Sequence, residues 1–314
     1  MVDQALPAGV IGFGRVGAAV AGALAQADHP LAGVTARSEA SRERAELVVP
    51  GVPILPAAAV AEKAGLVFLT VPDAAVEGLA RDLAQHWRAG QIVVHTAGAL
   101  GLDVLEPVGR AGGIALSVHP VMTFTGTSLD LRRLRGAPFA TAAPPGLAPL
   151  AEALAVELGG RPFAVPPSAR AAYHAALSHA GNHLVTLIAQ ALDILDQAGV
   201  AEPAALIGPL TRAALEGALS QGIAALTGPA SRGDAATLRA HVEALAAYAA
   251  GRGALVGPEL AVDAAGAAAL DTVASYRQLA AATVRAAARS GRVGQDQAAA
   301  GLAALDAPGT AGSR

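Results

Sequence analysis

Short apolar runs alternate with longer amphipathic stretches through the first half of the chain. The run Leu66–Val71 is almost continuously apolar, which is typical of a strand buried on both faces of a sheet. Because such strands alternate with helical patterns, the sequence predicts an α/β fold with a parallel, doubly wound sheet. The predicted strands are Ala8–Ile11, Ala32–Ala36, Val52–Leu55, Leu66–Val71, Gln91–His95, Ile114–Val118 and Phe163–Val165.

Helical periodicity fills the intervals and then takes over the chain. Helices of the first half are predicted at Val16–Ala27, after the polar run Arg37–Arg44, and at Pro56–Lys63, Ala74–His86 (with Asp73 as a cap) and Leu147–Leu158. Longer ones follow at Ala169–Gln197, Ala204–Leu219, Ala235–Ala250 and Leu260–Arg289. We therefore expect an α/β domain at residues 1–167, an all-helical C-terminal domain at 168–290 and a flexible tail at 291–314.

Composition narrows the classes of partner. The 314 residues are 53% hydrophobic but only 3% aromatic, so the core must be built largely from Ala, Leu and Val. A net charge of −3 without a basic block argues against nucleic acid. The absence of cysteine excludes disulfides and thiolate catalysis. Since the N-terminus lacks signal-peptide features and no apolar run could span a membrane, we expect a cytoplasmic protein with no membrane partner.

A glycine motif follows the first predicted strand and opens the first predicted helix. It reads G-x-G-x-x-G at Gly12, Gly14 and Gly17, with Arg15 and Val16 inside it. In that position the glycines permit a tight turn, a close approach to a pyrophosphate and close helix–strand packing. The motif predicts a Rossmann-type dinucleotide-binding sheet. Further cofactor contacts are expected after the buried strand, at Val71, Pro72 and Asp73.

The end of the second strand bears on the choice between NAD and NADP. An NAD-selective site usually places a carboxylate there, whereas this chain has Arg37 and Ser38, with Arg42 about one helical turn later. Because a guanidinium pairs well with a phosphate, we expect these three residues to hold the 2′-phosphate of NADP. The alternative is a solvated helix start in which Glu39 and Glu43 pair with the arginines.

Two histidines follow predicted strands at the edge where such sheets bind ligands. His95 and His119 are therefore expected to face the cleft, where a histidine can donate a proton to a reduced carbonyl oxygen. We expect His95 to contact substrate and His119 to be a candidate catalytic residue. The alternative for each is a hydrogen bond to the backbone of its loop.

The first long helix of the second half carries a polar stripe. His174, Ser178 and Asn182 are spaced four apart and share one face, which predicts catalytic or substrate-orienting roles. A metal site is disfavoured, because the segment has no glutamate and no zinc-protease pattern. Further along, the loop Leu226–Asp234 offers Arg232 to a substrate carboxylate and Asp234 as a helix cap, or it is a plain surface connector.

These motifs, in this order, resemble the Rossmann-like oxidoreductases that carry a C-terminal domain of unknown function. That group is similar to ketopantoate reductases, pyrroline-5-carboxylate reductases and the 6-phosphogluconate dehydrogenase superfamily. The resemblance implies an active site between a nucleotide-binding and a helical domain, and a homodimer formed through the helices. It also implies a Lys-x-x-x-Asn pair, of which Asn182 is present, while Ser178 replaces the lysine.

Three functions remain open at this stage. The first is NADPH-dependent reduction of a small 2-oxo acid, ketopantoate-like, with His174 or His119 as the proton donor. The second is reduction of an imine, which arrives partly protonated and so suits a site without the lysine. The third is a protein that binds NADP without turnover, against which the polar stripe of the helix argues.

Overall fold

The computed structural model describes residues 6–254 and 264–306, with the side chains of residues 6–250 and 271–306. A seven-stranded sheet in the order β2-β1-β3-β4-β5-β6-β7 forms its first half, which confirms the α/β fold class. Its strands are β1 Ala8–Ile11, β2 Leu31–Thr35, β3 Leu66–Leu69, β4 Ile92–His95, β5 Ile114–Pro120, β6 Pro138–Ala142 and β7 Arg161–Ala164. Neighbouring strands are parallel except β5 and β6, which are antiparallel, so the sheet is mostly parallel, as predicted, with one antiparallel pair that the sequence did not predict.

Two strand predictions failed. The predicted strand Val52–Leu55 forms only one isolated bridge, between Ile54 and Val34 of the edge strand β2. Pro53 lies inside this run and has no N–H to donate, which limits it to edge pairing. Conversely, β6 was missed, because its sequence is only five residues long and begins at Pro138 beside a Gly- and Pro-rich stretch.

Helices cover both faces of the sheet. They are α1 Arg15–Gln26, α2 Glu39–Val48, α3 Ala57–Lys63, α4 Asp73–Asp82, α5 Glu106–Arg110, α6 Leu129–Leu134 and α7 Ala148–Glu157. Successive side chains of a strand point to opposite faces. Thus Leu66 and Phe68 of β3 belong to the core under α1, α2 and α7, whereas Val67 and Leu69 belong to the core under α3, α4 and α5. Asp73 is not the N-cap of α4, since Pro72 occupies that position.

Five helices follow, and the chain divides into two compact units within the first of them. They are α8 Arg170–Gln197, α9 Pro203–Gln221, α10 Ala235–Ala254, α11 Ala264–Arg289 and α12 Gln295–Asp306. The units are Met1–Asn182 and His183–Arg314, so the first turns of α8 belong with the sheet. The sequence-based boundary lies earlier, at Pro167. Residues 260–263 of the predicted fourth long helix lie outside the described residues.

The predicted flexible tail is wrong over most of its described length. Residues 295–306 form α12, which packs within the second unit against α10 and α11. Ala304 and Leu305 are buried in one cluster with Leu238 and Val284, so a small apolar face holds this helix in place. Its high alanine and glycine content masked this amphipathic pattern. The rest of the predicted tail, residues 307–314, lies outside the described residues.

None of the helices in the described parts of the chain combines the length and the apolar character that a membrane crossing requires.

Candidate active site

The turn between β1 and α1 is built as its glycines predict. Gly12 has a φ of +104°, which favours glycine, and a Cβ there would lie 2.8 Å from Val71 Cγ1. A Cβ on Gly17 would overlap the carbonyl oxygen of Gly12 and lie 2.6 Å from Thr70 Oγ1. Gly14 differs, since its Cβ would meet nothing within 4 Å. Two glycines therefore let the helix pack on the sheet, and the third leaves open space at the start of α1.

One side of this turn opens into a cavity of about 320 Å³. Its wall includes Arg37, Ser38 and Arg44. Ser38 caps α2 by accepting a hydrogen bond from the Ser41 N–H at 3.2 Å, and Arg44 Nη1 donates to the Phe13 carbonyl at 3.2 Å. Arg42 is exposed and does not line this cavity, unlike the expectation. Within α2, Ser41 is buried and Arg44, three residues later on the same side of the helix, is half-buried, whereas the side chain of Arg42 is exposed.

On the other side, a cavity of about 380 Å³ brings the turn and the histidines together. Gly14, Thr96, Gly98, His119 and His174 lie on its wall. The remaining lining residues come from α1, from the segment between β3 and the start of α4, and from the end of β5 with the loop that follows it: Val16, Thr70, Val71, Pro72, Asp73, Pro120, Met122 and Phe124. The predicted contacts Val16 and Val71–Asp73 thus share one cavity with both candidate proton donors.

A third cavity, of about 270 Å³, continues from the second. The two share His119, Pro120, Met122 and His174, and the third adds Ser178 and Asn182 of α8. The first and second share Gly14 and Thr70–Pro72. The three cavities therefore form one groove, here called the cleft, within the first unit. It runs from Arg37 past the glycine turn to the polar stripe of α8.

His119 is held at the middle of the cleft by aromatic and hydrogen-bonding contacts. Its Nδ1 lies 2.9 Å from the Tyr173 hydroxyl, and the two rings meet edge to face with centroids 5.8 Å apart. The His174 ring lies 6.4 Å from that of His119. On the opposite side of His119, a Cβ on Gly98 would lie 2.9 Å from its Nε2 and 2.7 Å from His174 Cδ2. The absence of a side chain at Gly98 is what lets both rings approach this wall.

His95 does not face the cleft, so its predicted contact with substrate is wrong. It is fully buried, and its Nε2 hydrogen-bonds the Gly101 carbonyl at 3.0 Å. The register explains this placement: His95 pairs with Ser117, two residues before His119, in the buried part of the sheet. His95 therefore forms a hydrogen bond with the backbone of its own loop, which is the alternative given in the sequence analysis.

Arg170, at the start of α8, is a buried cation beside these groups. It is 2% exposed, its Nη1 donates to the Leu100 carbonyl at 3.3 Å, and it forms no salt bridge among the described residues. Burial and the Arg170 charge lower the pKa of His95 to about 4. Burial, His174, Arg170 and His95 together lower the pKa of His119 to about 4. Both histidines are therefore neutral near neutral pH.

The loop after β5 is fixed by one buried carboxylate. Asp130 accepts hydrogen bonds from the backbone N–H groups of Thr125 and Gly126, at 3.0 and 2.7 Å. Burial would raise the pKa of Asp130, but these hydrogen bonds outweigh it and hold the pKa below its usual range. A Cβ on Gly126 would lie 3.1 Å from Arg15 Cγ and 3.3 Å from Arg44 Nε. The exposed Arg15 thus lies beside this loop.

The loop before α10 belongs to the second unit. Asp234 caps α10 as predicted, because its Oδ1 accepts from the Thr237 N–H at 3.1 Å. The Arg232 carbonyl accepts from Gln297 Nε2 at 2.6 Å. A contact between Arg232 and a substrate carboxylate stays a prediction.

The sequence alone assigned no role to Arg44, Gly98, Arg170 and Tyr173. Along α8, the i, i+3, i+4, i+7 spacing of Arg170, Tyr173, His174 and Leu177 is the pattern of one buried helix face and could have found two of them. The role of Gly98 had no signal in the chain, since it depends on rings that come from β5 and α8.

Two domain families match this chain. Residues 1–120 match the Rossmann-like domain, and residues 137–255 match the Domain of unknown function (DUF2520). The second match begins just before β6, so it includes the site-bearing turns of α8. No curated protein matches the chain.

Solved structures share the fold at low identity. A candidate NADP oxidoreductase from Bacteroides fragilis is 22% identical with a TM-score of 0.68, over 89% of this chain and 98% of that one. A protein from Thermotoga maritima is 21% identical with a TM-score of 0.59, over 91% and 100%. A reductive aminase from Aspergillus terreus, in complex with NADPH and ethyl levulinate, is 18% identical with a TM-score of 0.59, over 94% and 98%. At such identities the likeness establishes the fold alone.

The two neutral histidines predict a loss of stability in mild acid. Each of these histidines has a pKa of about 4 in the folded chain and about 6.5 in the unfolded chain. At pH values between these two, the unfolded chain therefore binds more protons than the folded chain does. The free energy of unfolding therefore falls as the pH drops from about 6.5 to about 4, by about 2 kcal/mol for each histidine at a pH of about 5. Urea denaturation at pH values of about 7.5 and 5 measures this loss.

The matched variant is His119→Gln, which removes one of the two titrating rings. It should lose less stability between the two pH values than the wild-type chain does. Equal losses in both proteins would contradict the burial of a neutral His119.

Proposed function

We propose that this chain, whose residues 1–120 match the Rossmann-like domain and whose residues 137–255 match DUF2520, is an NADPH-dependent oxidoreductase acting on a small carbonyl compound. One observation carries this proposal. The glycine turn and the His119–His174 pair line the same cavity of about 380 Å³. A dinucleotide bound at the turn would therefore extend towards the hydrogen-bonding side chains of His119 and His174.

The residues of the cleft suit a dinucleotide. The open space at Gly14 gives a pyrophosphate access to the start of α1, where helix N–H groups and the helix dipole favour an anion. Val16 and Val71–Asp73 would line the nicotinamide side. Arg37, Ser38 and Arg44 would hold the 2′-phosphate of NADP, with Arg44 in the place expected of Arg42. Bound NADPH supplies a hydride. The complex of the Aspergillus terreus enzyme with NADPH gives this assignment limited support.

The substrate proposed first is a small 2-oxo acid, ketopantoate-like. His119 and His174 are the candidate proton donors to the reduced oxygen, since both line the cavity that the turn shares. Ser178 and Asn182 extend the wall beyond them and would orient the substrate.

A second candidate is imine reduction, and one observation favours it. His119 has a pKa of about 4 and is therefore uncharged near neutral pH. An uncharged imidazole protonates a carbonyl oxygen less readily than an imidazolium does, whereas a partly protonated imine needs little help from a general acid.

A protein that binds NADP without turnover is the third candidate. The polar wall formed by His119, His174, Ser178 and Asn182 argues against it, because such a wall serves no purpose in nucleotide binding alone.

Oxidation of NADPH by the full chain, in the presence of a panel of 2-oxo acids and cyclic imines, separates these candidates. Oxidation with one class of compound identifies the reaction. The control is Gly14→Asp, which should fold but lose the cofactor, since a carboxylate at the turn repels the pyrophosphate. Tight NADPH binding without oxidation by any compound would favour the non-catalytic candidate. The absence of any binding in calorimetry would sink the proposal itself.

The proposed preference for NADPH over NADH depends on Arg44, and Arg42 of the same helix provides a matched control. Arg44→Ala should weaken NADPH binding by about 10- to 100-fold, the value of one charge-assisted hydrogen bond, and change NADH binding little. Arg42→Ala removes the same charge from the exposed face of α2 and should leave both affinities nearly unchanged. Isothermal titration with both cofactors measures this. Tighter binding of NADH than NADPH by the wild-type chain would refute the NADP assignment.

A homodimer through the helical unit is also proposed. Apolar side chains on α8 and α9 are unusually exposed, including Val185 (70%), Leu210 (71%) and Leu219 (81%). Large exposed apolar patches mark interaction sites. Leu210→Glu should therefore convert dimers to monomers in analytical ultracentrifugation. Leu47→Glu on α2, which is 84% exposed in the other unit, is the matched control and should change nothing. A wild-type chain that sediments as a monomer would refute the dimer.

A further inference from the structure

The pairing of His119 with Tyr173 raises the question of which atom carries the proton between them. The two heavy atoms, Nδ1 and the hydroxyl oxygen, are 2.9 Å apart, so one proton lies between them. If the hydroxyl donates, the imidazole proton is on Nε2; if Nδ1 donates, Nε2 is bare. The two tautomers differ in what His119 presents to the cleft.

The surroundings favour donation by the hydroxyl. Arg170 interacts electrostatically with both Tyr173 and His119. A guanidinium attracts the oxygen end of a hydroxyl and repels its hydrogen. Among the described residues, His119 Nδ1 is the one acceptor within hydrogen-bond distance of the Tyr173 hydroxyl, so the O–H group is satisfied by the protein only if it donates to Nδ1. The oxygen lone pairs then remain for the cation. A protonated Nδ1 would also place a second positive hydrogen near Arg170.

The other ring nitrogen of His119 is directed at the cleft. Nε2 makes no hydrogen bond to any of the described residues, and a Cβ on Gly98 would lie 2.9 Å from it. Both Gly98 and His119 line the cavity that begins at Gly14. An N–H on Nε2 would therefore meet whatever occupies that cavity. His95 cannot take this part, since it is buried and its Nε2 is used by Gly101.

We propose that Tyr173 is a positioning residue that holds His119 in the tautomer with its proton on Nε2, and that it supplies the replacement proton to Nδ1. This inference rests on the proposed function for its catalytic meaning. It gives roles to two residues, Tyr173 and Arg170, that sequence reasoning left without any.

The protons balance only if the two residues act together. A neutral imidazole that gave up its Nε2 proton alone would become an unstable anion. When the Nε2–H bond breaks and an O–H bond forms on the reduced substrate, the Tyr173 O–H bond breaks and an Nδ1–H bond forms. His119 ends neutral in the other tautomer, and the phenolate is stabilised by the nearby Arg170. Proton uptake from solvent water then restores Tyr173.

The remaining groups facing His119 are consistent with this scheme. His174 and His95 are the other titratable groups around it, besides Tyr173 and Arg170. Burial, together with His174, Arg170 and His95, lowers the pKa of His119 to about 4, so the neutral ring persists through the neutral range. Burial raises the pKa of Tyr173 to about 12, which keeps its proton in place until an alkoxide, a stronger base than a phenolate, develops nearby.

NMR of the full chain, labelled with nitrogen-15 in its histidine rings, tests the tautomer without any cofactor. Loss of one set of signals in His119→Ala assigns His119. In the wild-type chain at neutral pH, its Nε2 should give the shift of a protonated nitrogen and its Nδ1 that of a hydrogen-bond acceptor. Tyr173→Phe keeps the ring and removes the donor, so the His119 signals should move towards a mixture of tautomers.

The chain contains its own matched control in the second unit. His241 Nδ1 lies 2.6 Å from the Tyr276 hydroxyl, with ring centroids 5.8 Å apart. Tyr276→Phe removes the same kind of hydrogen bond and should alter the His241 signals while leaving those of His119 and the turnover unchanged. Tyr173→Phe should lower turnover by about 100-fold, the lower end of what general acid–base catalysis contributes, with little effect on NADPH affinity.

A wild-type His119 with its proton on Nδ1 would overturn the proposal, as would a Tyr173→Phe variant with unchanged His119 signals. If Tyr173→Phe fails to fold, the wild-type spectrum alone decides the tautomer. The outcome is separable from that of the proposed function. Suppose that His119 has the Nε2–H tautomer but that none of the compounds in the panel leads to NADPH oxidation. That result would support the positioning role of Tyr173 and refute the reductase assignment.

Discussion

The close packing of α1 on the sheet at Gly17 is the constraint on which the cleft depends. A side chain there would overlap the Gly12 carbonyl, and the Thr70 hydroxyl donates to that same carbonyl at 2.5 Å. This contact joins the turn after β1 to the end of β3. It therefore fixes Gly14 and the loop Val71–Asp73 on the same wall of the cleft. Two segments of the ligand-binding edge of this doubly wound sheet are in this way joined by the chain's own hydrogen bond.

A second constraint, the buried charge of Arg170, sets the chemistry at the far end of the cleft. A buried guanidinium without a carboxylate partner disfavours any further positive charge nearby. Through burial and this charge, the histidines beside it stay neutral, which makes His119 a hydrogen-bond donor or relay more than a charged acid. The absence of the superfamily lysine at Ser178 is consistent with such a site, since a lysine there would add another cation close to His119 and His174.

The sequence predicted the fold class and the glycine turn because both are local: they follow from apolar periodicity and from glycines at fixed spacing. Val16, Val71–Asp73, His119 and His174, which the sequence proposes as site residues, all line one cavity, while their roles stay predictions. Failures came from tertiary context. His95 follows a strand as His119 does, but register buries it. Arg42 and Arg44 differ only in the helix face they occupy. The roles of Tyr173 and Arg170 depend on tertiary contacts: Tyr173 forms a hydrogen bond with His119 of β5, and the charge of Arg170 lowers the pKa of that histidine.

We propose that the glycine turn and the His119 cluster form one site. A crystal structure of the full chain soaked with NADP⁺ tests it most directly, through the position of the nicotinamide ring. We expect the pyrophosphate to lie at Gly14 and the nicotinamide to occupy the cavity bounded by Gly98, His119 and His174. A dinucleotide bound at the turn with its nicotinamide outside that cavity, or bound elsewhere on the chain, would contradict the claim.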